Sequence, residues 1–178
     1  MSWRGNQGLV RSNVHSWHSS NDFLESDNDA VRCLADRIRV LNRELTQAFF
    51  DTDANGMYPA FDLQGWANVT MPGGYHIPHV HPNAFWSGVY YVNGNDAVAD
   101  WPMSGKLELL DPRAGGGLSA PVATPLFGRL LFDPEPGQLI LFPAWLQHFV
   151  HPYQGDGERI SVAFNLSSAL IQISWIVI

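Results

Sequence analysis

Cysteine occurs once, at position 33, and lysine once, at position 106, in a chain of 178 residues. A single cysteine excludes an intrachain disulfide framework and any cysteine-rich zinc site, and it fits a reducing, cytoplasmic setting. Cys33 lies within a helical apolar pattern and reads as a small buried residue. Charge is sparse too: charged residues make up 15% of the chain, ten basic against seventeen acidic, for a formal net charge of −7. That balance offers no basic surface to phosphates, so nucleic acid is not the expected partner; a small-molecule or peptidyl substrate is. No charged segment followed by an apolar core opens the chain, so secretion is not expected. The one long apolar run, ALIQISWIVI at the C-terminus, is shorter than the about 20 residues that cross a bilayer. Residues 167–178 read instead as a final strand or tail.

What the chain does have is apolar and aromatic content (46% and 12%), sixteen glycines and twelve prolines, the composition of one folded domain rich in strands and turns. From Asp29 to Phe50 the residues Val31, Leu34, Ile38, Leu41, Leu45 and Phe49 recur at threes and fours, which predicts an amphipathic helix. Ser26, Asp27 and Asn28 offer capping oxygens before it, and DTDANG stops it. From about residue 60 to 166, short β-branched and aromatic runs alternate with turn formers: WANVTM (66–71), SGVYYV (87–92), KLELL (106–110), FGRLLF (127–132), QLILF (138–142), QHFV (147–150) and RISVAFNL (159–166). Such spacing predicts a mainly β fold, an antiparallel sandwich or barrel with the helix on the outer face of one sheet. Gly115, Gly116 and Gly117 read as a flexible connection between strands.

The stretch HIPHVHPN (76–83) holds three of the seven histidines. Alternation along an extended segment puts His79 and His81 on one face and His76 on the other. Imidazoles at i and i+2 can converge on one ion at about 2.0–2.2 Å per bond, and Pro78 and Pro82 stiffen the segment that holds them. A third ligand must come from another strand, and His148 in GQLILFPAWLQHFVHPY is the best candidate; His151 reads as a surface or turn residue. Three histidines leave sites open on an octahedral metal such as Fe(II) for dioxygen and a chelating cosubstrate. In Arg159-Ile160-Ser161 the arginine and serine share a face opposite Ile160, Val162 and Phe164. A buried guanidinium is costly unless it meets an anion, and its fork suits a carboxylate, with the serine hydroxyl adding a further bond.

His79-Val80-His81-Pro82-Asn83, Ser87-Gly88-Val89-Tyr90-Tyr91-Val92, Gly137 to Pro143, His148 and Arg159 together resemble the 2-oxoglutarate and Fe(II)-dependent oxygenases. More narrowly, they are similar to a bacterial and phage branch related to prolyl hydroxylases, with the likeness running from about residue 17 to 166. The resemblance implies a double-stranded β-helix, or jelly roll. It implies His79, His81 and His148 as iron ligands, Arg159 on the far carboxylate of 2-oxoglutarate, and Ser161 beside it. His81 stands where the family at large has Asp or Glu, so three neutral ligands would leave the centre doubly positive. The implied reaction is hydroxylation of a substrate by dioxygen, coupled to decarboxylation of 2-oxoglutarate to succinate. Halogenation is not implied, since the halide needs the position that His81 fills. Asn68, Tyr75 and Tyr91 could add polar contacts to cosubstrate or substrate, and Trp66, Phe85, Trp86 and Trp145 could wall the pocket.

A cupin-type metal enzyme, or a metal-binding jelly roll without catalysis, shares the architecture. Gly73 before His79-x-His81 and Gly137 before Pro143 and His148 match parts of the cupin motifs. However, the carboxylate expected soon after the histidine pair is missing, Trp145 replaces a motif glycine, and a cupin would leave Arg159 and Ser161 without a task. Zinc, manganese or nickel could occupy the same ligands. The exposed edges of a jelly roll and the apolar C-terminal run also fit a homodimer.

Overall fold

The computed structural model describes residues 8–50, 60–94, 98, 100–113 and 129–168, with backbone alone at 49 and 50. The stop expected at 51–56, the glycines at 115–117, positions 127 and 128 and the run 169–178 lie outside them. The elements are β1 (Asn13–His18), a single 3-10 turn (Phe23–Glu25), α1 (Asp29–Phe50), β2 (Phe61–His79), β3 (Trp86–Tyr91), β4 (Leu107–Leu109), β5 (Leu130–Phe132), β6 (Leu139–Pro143), β7 (His148–Val150) and β8 (Arg159–Ser168). All strand pairings are antiparallel, in the order β5-β4-β7-β2-β8-β3-β6, with β1 also on β2. This curled sheet is a jelly roll, as expected.

The long strand β2 joins its two halves. Residues 61–70 pair with β8, and after an irregular stretch His76 and His79 pair with Val150 and His148 of β7. The change of partner falls at Gly73 and Gly74. Gly73 has φ +82°, and a Cβ on Gly74 would lie 2.5 Å from the His15 carbonyl oxygen, so neither position accepts a side chain without rearrangement. Strand β1 was not expected; it follows β2 around this corner with its own bulge, where His15 takes φ 47°.

Alternation along β8 and β3 sorts the core. Val162, Phe164, Leu166 and Trp86 face out and pack with Ala35 and Ile38 of α1 and with Leu24 of the 3-10 turn. Tyr91, Leu107, Leu109, Ile140 and Phe142 face into the roll. The helix thus covers one outer face, its start capped by Asn28, whose Oδ1 accepts from the amides of Ala30 (3.0 Å) and Val31 (3.3 Å). Cys33 is a correction: it is exposed, because it sits about 200° around the helix from Val31, away from the stripe that contains Ala35 and Ile38. Gly88 pairs with Phe164 across β3 and β8, and an added Cβ would lie 2.3 Å from the Phe164 ring and 2.6 Å from the Ile140 carbonyl. Gly88→Ala is therefore expected to lower stability by about 2 kcal/mol or more, measured by urea unfolding.

Among the described residues no helix is long and apolar enough to cross a membrane.

Candidate metal centre and anion pocket

His79 ends β2 and His148 opens β7, directly opposite each other in the ladder. His81 follows two residues beyond His79, held by a hydrogen bond from its amide to the Ala144 carbonyl (3.0 Å). The structure brings the three rings together: centroids are 4.3 Å apart for His79 and His148, and 5.1 Å for each pairing with His81. One nitrogen from each lies within 4.8 Å of the others. Two tautomers are set by the backbone. His79 Nδ1 donates to the Ile77 carbonyl (2.7 Å) and His148 Nδ1 to the Leu146 carbonyl (2.8 Å), which leaves both Nε2 atoms unprotonated, with their lone pairs facing the cluster. His81 Nε2 is 3.2 Å from His148 Nε2. Three imidazole nitrogens crowded in this way, two of them without a proton, fit a metal ion of the zinc or iron type.

Burial holds all three rings neutral. It lowers the pKa of His79, that of His81 to about 3 with help from His148 and His79, and that of His148 to about 4 with help from His79. A neutral imidazole is the form that binds metal. The sign of the stability effect follows. In the unfolded chain these groups protonate near pH 6.5, so the metal-free protein keeps their full contribution above that pH and loses it as pH falls toward 4. The expected slope is about 1.4 kcal/mol per pH unit for each imidazole that protonates only when unfolded. Urea melts of chelator-treated protein at pH 7, 6 and 5 check this, and a flat profile would contradict it.

A cavity of about 630 Å³ inside the roll holds the cluster at one part of its wall. Asn68, Ser161 and Tyr91 form a row across β2, β8 and β3, as their cross-strand partners, and Arg159 lies one step along on the same face of β8. Arg159 is 1% exposed, yet no carboxylate faces it among the described residues. Its Nε donates to the Gly105 carbonyl (3.1 Å), Nη1 reaches the Ser161 hydroxyl at 3.5 Å, and the guanidinium lies 5.1 Å from the centre of the Tyr91 ring. Burial lowers the Arg159 pKa, opposed by Tyr91. Around it, Asn68 Oδ1 and His76 Nε2 are buried without a hydrogen-bond partner. A pocket with a guanidinium and orphaned polar atoms, against a metal-type histidine cluster, fits a chelating dicarboxylate such as a 2-oxo diacid.

The structure differs from the sequence expectations in instructive places. His76 does not point away from His79. Four β2 residues, from His76 to His79, span three of β7, from Val150 to His148, and this one-residue bulge turns both rings into the same cavity. His76 stays outside the metal cluster and lies toward Arg159; burial, then the Arg159 charge, lowers its pKa to about 3. Pro78 was the available signal, since a proline inside a strand marks an edge or a bulge. Tyr75 does not line the cavity; it pairs with Val14 of β1, and the bulges place His76 there instead. Trp66 lines the cavity, but Phe85 and Trp86 belong to the core beneath the helix and Trp145 is 64% exposed. His151 is no free surface residue: its Nε2 is 2.7 Å from the buried Glu108 carboxylate, which Arg129 also grips at 2.5 Å. The N-terminal segment was missed altogether. Arg11, Ser12, His18 and Asn21 all line the cavity, and Ser12 Oγ is 3.4 Å from His79 Nε2.

A metal-type three-histidine cluster and a buried arginine thus share one jelly-roll cavity. The family model described as "Putative 2OG-Fe(II) oxygenase" matches residues 64–165, more than half of the chain, and the protein belongs to that family. Solved structures share the fold. A prolyl-4-hydroxylase from Pseudomonas putida superposes with a TM-score of 0.57 at 17% identity, covering 86% of this chain and 71% of its own. A prolyl hydroxylase from Trichoplax adhaerens, in complex with a hypoxia inducible factor oxygen degradation domain peptide fragment, gives 0.64 at 15% identity, covering 90% and 66%. An oxidoreductase of the 2OG-Fe(II) oxygenase family from Burkholderia pseudomallei gives 0.51 at 16%, covering 80% and 59%. The chain thus spans about three fifths to seven tenths of the length of these structures. No curated protein matches it at a significant level.

Proposed function

We propose that the protein hydroxylates a C–H bond of its substrate, consuming dioxygen and 2-oxoglutarate and releasing succinate and carbon dioxide. The observation that carries this is Arg159, fully buried without an acidic partner among the described residues, in the cavity that also holds the His79, His81 and His148 cluster. Iron bound to those histidines would supply the oxidising chemistry. The residues do the rest. The carbonyls of Ile77 and Leu146 hold His79 and His148 in the metal-binding tautomer. Arg159 and Ser161 orient the far carboxylate of the cosubstrate, with Asn68, His76 and Tyr91 as further polar contacts. Val89, Leu107, Phe142 and Val150 line the cavity with apolar surface and keep water from the reacting groups. Three neutral ligands leave the ion its full double charge, which the dianionic cosubstrate neutralises.

Succinate formation by iron-loaded protein with 2-oxoglutarate in air is the test. Slow succinate release without added substrate is expected, absent when iron is replaced by zinc. A folded, iron-loaded protein that makes none with any member of a broad substrate library would sink the proposal. A cupin would leave the buried Arg159 unexplained. A hydrolase acting through metal-bound water would need a general base, and among the described residues no Asp or Glu lines the cavity.

A further inference from the structure

The wall of the cavity built by the N-terminal segment has no task in binding metal or 2-oxoglutarate. This segment lies beside the metal cluster: Ser12 accepts a hydrogen bond from the Ile77 amide (2.9 Å) through its carbonyl, and its hydroxyl sits against His79. Arg11, exposed just before it, lines the cavity, and its guanidinium has no acidic partner among the described residues. Further along, His18 is 4% exposed and stacks on Trp66 at 5.2 Å and 10°, and Trp66 in turn lies 5.8 Å from His81. His18 Nδ1 donates to the Ser19 carbonyl at 2.5 Å, so its Nε2 is left as an acceptor. Burial, followed by the nearby Arg11 charge among the lowering causes, keeps the ring neutral.

The charges decide what fits there. Among the described residues the lining carries two arginines and five histidines and no Asp, Glu or Lys, in a chain whose net charge is −7. The far carboxylate of the cosubstrate takes the deep, buried Arg159. Among the described residues Arg11 is the remaining fixed cation of the lining, and it is exposed to solvent. A single guanidinium, with no second cation beside it among the described residues, matches a singly charged, planar carboxylate better than a phosphate. Granting the oxygenase function proposed above, we infer that the primary substrate is a carboxylic acid that also carries a hydroxyl or amino donor. Arg11 binds its carboxylate, His18 Nε2 accepts from its donor, and Trp66 forms the floor between them.

The test uses full-length protein saturated with zinc and 2-oxoglutarate. The probes are hydroxy and amino carboxylic acids, each paired with its own primary amide, and binding is read by ligand-observed NMR. Acids should bind at least tenfold more tightly than their amides. Arg11→Ala should abolish that preference and Arg11→Lys should keep part of it; circular dichroism verifies that each variant is folded. His18→Phe, which keeps the stack on Trp66, should lower the affinity of hydroxy acids severalfold, to that of their deoxy analogues. Equal binding of acids and amides, a preference that survives Arg11→Ala, or no acid bound at millimolar concentration would overturn the inference. Succinate release with the same acids separates the two proposals. Arg11-dependent binding without any succinate defeats the oxygenase function and leaves the carboxylate site standing, whereas succinate stimulated only by the neutral amides does the reverse.

Discussion

Arg159→Met weakens 2-oxoglutarate binding by about a hundredfold or more while leaving the unliganded fold about as stable as the wild type or more so. The two halves of this expected result have different causes. A bidentate guanidinium-carboxylate contact provides two charge-assisted hydrogen bonds of about 1.5–3 kcal/mol each. Its loss lowers affinity by about a hundredfold to a thousandfold or more. Among the described residues the unliganded guanidinium is buried with the Gly105 carbonyl, a long contact to Ser161 and the Tyr91 and Tyr153 side chains to offset its desolvation. Replacing a buried, poorly compensated charge by an apolar chain of similar length is often neutral or stabilising, by up to about 4 kcal/mol. Thermal unfolding with and without 2-oxoglutarate checks both halves. The wild type gains stability from the ligand by mass action and the variant does not. A variant that unfolds much earlier than the wild type without ligand would show that Arg159 is a structural element of the roll.

His148→Ala is expected to lower metal affinity by about a hundredfold to a thousandfold. Structural zinc sites yield about 10–16 kcal/mol over four ligands, or roughly 2.5 to 4 per ligand. With His148 gone, His79 and His81 remain as a two-ligand clamp at the end of one strand. The informative partner is His76→Ala. His76 lines the same cavity only three positions from His79 but lies outside the cluster, so its removal should change metal affinity by no more than a few-fold and should weaken 2-oxoglutarate binding instead. Competition titrations against a chromophoric chelator measure the first effect and calorimetry the second. If His76→Ala loses metal as completely as His148→Ala, the bulge at Ile77 and Pro78 has been assigned the wrong role.

Much of this site was legible because it rests on strand alternation in a regular strand. In β8 the period of two separates Arg159 and Ser161 from Val162, Phe164 and Leu166, and the structure keeps that separation. The same rule failed at His76, where one extra residue against β7 shifts the phase and returns the ring to the cavity. Alternation carries information only between bulges, and Pro78 and the Gly73-Gly74 pair were the marks of where it would break. Strand β1 escaped notice for a different reason. NVHSWH has no apolar run, and its place in the sheet comes from pairing with both halves of β2. The cavity wall it brings, from Arg11 to Asn21, therefore depends on tertiary contacts that no local pattern encodes. Cys33 shows the limit of counting a residue into a helical stripe by proximity, since two positions along a helix lie on nearly opposite sides.

The most direct measurement is an anaerobic titration of 2-oxoglutarate into iron(II)-loaded protein, followed by visible absorption, with Arg159→Met run in parallel. A cosubstrate that chelates iron on His79, His81 and His148 while Arg159 holds its far carboxylate should produce a weak, saturable visible charge-transfer band in the wild type. The variant should need at least a hundredfold more 2-oxoglutarate to reach it. No band in a fully iron-loaded wild-type protein, or an identical titration of the two proteins, would contradict a shared site for metal and 2-oxoacid.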